Sequence, residues 1–158
     1  MSTTPPHSPA PPSDNQPPAP AAGAHTPGQQ ADIARHIETF ITQLRDFATG
    51  SYLRPEEREL WTQPFDPQAL EELHAILKNA AAACADASFD PDRLREELTS
   101  MYLELLRFNE RHGRAVIEPE EIPEIDHLAR LLGTTGGDPI ENLPTWEEIN
   151  QAWEEGKL

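Results

Sequence analysis

At 158 residues the chain has room for one compact domain and a tail. Its 28 Asp and Glu outnumber its 12 Lys and Arg, a formal net charge of −16 that disfavours phosphate backbones and anionic lipid. Cys84 is the single cysteine, which excludes an intramolecular disulfide and a cysteine-based zinc cluster within one chain.

Residues 1–28 hold nine of the seventeen prolines, no Lys or Arg and one acid, Asp14. Such a segment buries too little surface to offset its ordering entropy, so a disordered Pro-rich tail is expected. Pro6-x-x-Pro9 and Pro9-x-x-Pro12 have the spacing that proline-binding modules read, but no basic residue lies nearby to set an orientation. The start also lacks the basic residues and apolar run of a secretory signal, and no segment reaches spanning length. A cytoplasmic location without membrane contact is expected.

A helical bundle is expected over residues 29–132. Ile33, Ile37, Phe40, Ile41, Leu44 and Phe47 recur at helical spacing up to Gly50. Pro55 to Trp61 reads as a short helical segment with Leu60 and Trp61 turned inward. Phe65-Asp66-Pro67 and Phe89-Asp90-Pro91 each announce a helix start: Asp caps, Pro takes the first helical position, and Phe staples onto Leu70 or Leu94. Leu70, Leu73, Leu77, Ala80, Ala81 and Cys84 line one helix; Leu94, Leu98, Met101, Tyr102, Leu105 and Phe108 line the next, closed by His112-Gly113. The short link at Ser88 makes these two an antiparallel hairpin. The alanine run 80–83 favours a close helix crossing over a small-molecule pocket.

Pro119 and Pro123 delay the fourth helix, which carries Ile125, Leu128, Leu131 and Leu132 to a stop at Gly133. Residues 133–158 then read as a Gly/Pro loop and an acidic C-terminal helix packed on the bundle or extending it toward a partner. That helix opens on the capping box Thr145-x-x-Glu148 and presents Trp146, Ile149 and Trp153 on one face. The fold expected is therefore all-α: three long helices, a shorter fourth and a C-terminal docking helix.

Three constellations bear on chemistry. Glu38, Glu71-x-x-His74, Glu104 and Glu124-x-x-His127 follow the ligand order of di-iron bundles. Counted at about 100° per residue, however, Glu38, Glu71, Glu104 and His127 turn away from the core. Arg107, Arg111 and Arg114 beside His112 could hold an anion, yet residues 92–117 balance at five acids and five bases, which favours internal pairing. Residues 118–158 hold eleven acids against Arg130 and Lys157, together with Trp146 and Trp153. Tryptophans ringed by acid suit a helix-in-groove contact.

The reading that follows is a non-catalytic interaction module, an adaptor, assembly factor or regulator, that uses its acidic C-terminal region or a groove of the bundle. Its expected partner-binding residues are Trp146, Glu147, Glu148, Ile149 and Trp153. A protein partner is expected, with a basic surface among the options; no cofactor, metal or direct nucleic-acid contact is assigned. The alternatives are an acidic antagonist of a basic nucleic-acid-binding protein, as an antitoxin or DNA mimic would be, and a metal-dependent enzyme using His74.

Overall fold

The computed structural model describes residues 25–158. The expected tail lies outside them except at its end, where the chain is ordered earlier than composition suggests. His25 is buried, the Thr26 side chain accepts from Gln29 N at 3.0 Å, and Pro27 opens helix α1, Pro27–Thr49. Proline tolerates this place because a first-turn N–H has no helical partner to lose.

The remaining helices are α2, Pro55–Arg58; α3, Ala69–Asp86; α4, Pro91–Arg111; α5, Ile122–Leu132; and α6, Trp146–Glu154. The molecule is an all-α bundle in which α3 packs against α1, α4 and α5, while α6 packs against α4 and α5. Expected stripe residues on α3, α4 and α5 are buried, apart from half-buried Ala81 and Leu131. Among the described residues no helix is long and apolar enough to cross a membrane.

Local chemistry fixes the helix ends. Gly50 takes φ 69°, the left-handed cap that residues with a Cβ adopt reluctantly. Asp90 Oδ1 accepts from Asp92 N and Arg93 N at 3.1 and 3.3 Å. Asp66 Oδ1 accepts from Gln68 N at 2.9 Å, but the chain here turns through tighter bonds, Ala69 N to Asp66 O and Leu70 N to Pro67 O, both 3.0 Å. Regular α-helix accordingly begins at Ala69.

Four apolar expectations are corrected. Helix α2 ends at Arg58; one turn cannot present a defined face, and Leu60 is 95% exposed. Trp61 is only half-buried, its ring lying over Gly50 where a Cβ would stand 3.2 Å from it. Phe65 is buried, whereas Phe89 is 61% exposed and makes no staple. Phe47 is 39% exposed because it sits on the edge of the α1 stripe, and Ala48 takes the inward place.

The Gly/Pro loop also contains unexpected order. Thr134–Thr135 pairs antiparallel with Asp138–Pro139, as strands β1 and β2. Gly136 and Gly137 between them have φ of 61° and 92°, the two positive values that a tight hairpin turn requires.

Helix α6 is held by a carboxylate. Asp126 Oδ1 on α5 accepts from the Tyr102 hydroxyl of α4 at 2.6 Å and from Trp146 N, the first residue of α6, at 3.0 Å. The Tyr102 and Trp146 rings meet edge to face, with centroids 6.4 Å apart. Thr145 Oγ1 accepts from Glu148 N at 3.3 Å. A negative charge at a helix N-terminus is favourable, so one group both caps α6 and orients it.

Asp126→Ala is expected to lower unfolding free energy by about 2–3 kcal/mol in urea, since it strands a buried hydroxyl and a helix N–H. The tryptophan emission of the folded variant should shift to the red. Leu60→Ser should leave stability within about 0.5 kcal/mol of the parent, as expected of an exposed side chain without partners.

Candidate functional site

The five residues expected to meet a partner separate into two groups. Trp146 and Ile149 are buried against the bundle and complete its core. Their burial leaves them unable to anchor a second protein without undocking α6. Glu147 and Glu148 are exposed in the first turn of α6, and Trp153 is half-buried.

Trp153 borders an open groove of about 300 Å³ between α4, α6 and the segment preceding α5. Asn150, Arg114, Glu118 and Ile122 also line it, with Trp146 in its wall. A second groove, of about 360 Å³, lies on the other side of that segment, bounded by Phe40, Gln43, Leu44 and Phe47 of α1 and by Glu118, Glu120, Glu121 and Glu124. Glu118 belongs to both. Residues 118–122 therefore form a ridge, with an aromatic residue in the groove on each side.

This ridge follows from the sequence Glu118-Pro119-Glu120-Glu121-Ile122-Pro123-Glu124. Two prolines hold it off a regular helix until Ile122, while Glu118 N donates to Glu121 Oε2 at 2.8 Å and closes a turn. Its base is anchored by Asn109, which donates to Ile117 O and accepts from Ile117 N, both at 2.9 Å. Glu121 is half-buried; burial raises its carboxyl above the usual range, and the charges of Glu118 and Glu120 add to this while the Glu118 N–H opposes it.

No protein-family model matches the chain, and no curated protein or solved structure matches it.

The di-iron order does not converge. Glu38, Glu71, Glu104 and His127 are all exposed, as their helix angles imply. Glu38 pairs with His74 at 2.6 Å, while His127 stands beside His36 with ring centroids 5.0 Å apart. Among the described residues no group of three or more His, Cys, Asp or Glu side chains could hold a metal ion. Cys84 is buried, and its thiol is pushed up to about 12 by burial and by Glu97, far from a nucleophilic thiolate.

Two arginines of the cluster pair internally, while Arg107 is exposed and forms no ion pair among the described residues. Arg114 bonds to Glu110, and Arg111 bonds across the hairpin to Glu72, which also faces His112 at 3.2 Å. The alanine run serves two surfaces. Ala80 is buried in the core, whereas Ala81, Ala82 and Ala85 line a groove of about 200 Å³ against Ile33, Ala34 and Ile37 of α1.

Phe47 and the glutamate ridge were not singled out by sequence reasoning. Phe47 matches the core periodicity, and in the sequence Glu118, Glu120 and Glu121 read only as charge. The signal that could have found the ridge is the alternation of acid with proline at 118–124 directly before an apolar helix.

Glu121 gives the site a pH signature. The folded chain holds this proton more tightly than the unfolded chain, so the contribution to stability is full at low pH and is lost as pH rises through the raised folded value. Glu121→Gln should therefore raise the melting temperature at about pH 7, with the gain closing by about pH 3.5, where the parent is protonated in both states.

Proposed function

We propose that this chain is a non-catalytic interaction module whose contact surface is the 118–122 ridge and the grooves on its two sides. The observation that supports this reading is the juxtaposition of Phe47 and Trp153, each only part-buried, in grooves that share Glu118. Part-exposed aromatics in concave, charged surroundings combine an apolar anchor with electrostatic steering, as protein-binding surfaces do. In this reading the acidic C-terminal third contributes through the ridge and Trp153. Trp146, Ile149 and the Asp126 bonds hold the wall of the groove in place.

The partner's complementary surface is basic, since the chain carries a net charge of −16. A protein of the reducing cytoplasm fits the single buried thiol Cys84.

A photo-crosslinking residue placed at Gln43 or Asn150, one in each groove, tests the proposal in native cells. Discrete protein adducts are expected from both positions and not from Gln151, an exposed α6 residue outside the grooves. Equal labelling at all three positions, or none at any, would remove the support for this surface.

A further inference from the structure

The groove between α1 and residues 118–124 has a floor and a rim of different character. Phe40 and Leu44 are buried, so the contact surface of the floor is chiefly Phe47, which stacks with exposed Tyr52 at 6.3 Å between ring centroids. Around this aromatic floor stand four carboxylates. Among the described residues Glu118, Glu120 and Glu121 form no ion pair, and Glu124 faces only His36, at 3.7 Å. Such a groove suits a cationic group that also presents an apolar face.

Charge removes several occupants. A second copy of this chain, a nucleic acid or an anionic lipid would each bring more negative charge to an already acidic protein. The carboxylates do not converge into a metal-holding group. Between the two basic side chains, the lysine ammonium is strongly hydrated and meets carboxylates as a point charge. The guanidinium is planar, weakly hydrated, stacks on aromatic faces and pairs with carboxylates through two parallel bonds.

We propose that this groove receives an arginine side chain from a basic segment of a partner protein, its guanidinium stacked on Phe47 and paired with the glutamates of the ridge. The proposal rests on the reading of the chain as an interaction module and names the chemistry that one of its grooves selects. Backbone Glu118 N already bonds to Glu121 Oε2, so that carboxylate is held in place before the arginine arrives.

The test uses the full chain labelled for amide NMR and three short blocked peptides that alternate leucine with arginine, lysine or citrulline. The arginine peptide should shift amides of residues 40–47 and 118–124. Lysine should bind about threefold to fivefold more weakly, and citrulline should show no saturable shift. Phe47→Ser should weaken the arginine peptide by about threefold or more. Glu120→Gln with Glu121→Gln should do the same and reduce the salt dependence.

Equal affinity for arginine and lysine, an unaffected Phe47→Ser variant, or shifts spread over Glu147 and Glu148 of α6 would each overturn the proposal in favour of diffuse charge attraction. Crosslinked adducts at Asn150 together with a groove silent to all three peptides would overturn the arginine site and leave the interaction reading standing. Arginine-peptide binding at the groove with no adduct from Gln43 or Asn150 would support the arginine site and count against that reading.

Discussion

The Asp126 carboxylate is the constraint on which the C-terminal third depends. One oxygen accepts from the Tyr102 hydroxyl on α4 and from the first backbone N–H of α6, so three helices meet at one charge. Tyr102 is fully buried, and its hydroxyl proton is held by burial and by Asp126, which push its ionisation upward. Trp146 then packs edge-on to Tyr102. Without that node, α6 would be a nine-residue amphipathic helix, too short to persist alone. With it, Trp153 is held as one wall of a groove.

Elsewhere the bundle satisfies its helix ends with residues far away in sequence. The end of α5 is received by the start of α1: His25 Nε2–H donates to Leu132 O at 2.8 Å, and Gln29 Nε2 donates to Leu131 O and Thr134 O at 3.0 and 2.6 Å. His25 N in turn donates to Ser88 Oγ at 3.1 Å, tying the α3–α4 link to the same point. Burial lowers the His25 pKa, partly offset by the Leu132 carbonyl, and among the described residues its Nδ1 has no hydrogen-bond partner. The end of α1 is closed from nearer in sequence by Arg58 Nε, which donates to Gly50 O at 3.1 Å. Helix termini that would otherwise demand water thus become contacts that fix the order of packing.

Charge is distributed unevenly between structure and surface. Around the C-terminal end of α4 acids meet bases, Arg111 with Glu72 of α3 and Arg114 with Glu110. On the ridge they do not, and half-buried Glu121 beside Glu118 and Glu120 is disfavoured as an anion.

The sequence by itself determined the helices, because each is encoded in local chemistry: apolar spacing on α1, α3, α4 and α5, Asp90 and Thr145 as caps, and Gly50 as a stop. It determined the outward placement of Glu38, Glu71, Glu104 and His127 for the same reason, since helix angle follows from position. The tertiary structure decided what periodicity cannot resolve. Phe47, Leu60 and Phe89 have the composition of core residues, but whether an apolar side chain is covered depends on which element arrives above it. Periodicity alone leaves Trp146 and Ile149 open to a partner or to the core; in the fold Asp126 and Tyr102 hold α6 against the bundle, and Trp146 and Ile149 are both buried. The glutamate ridge became a candidate site only when folding set Phe47 and Trp153 on its two sides, because a groove belongs to pairs of elements and is written in neither one alone.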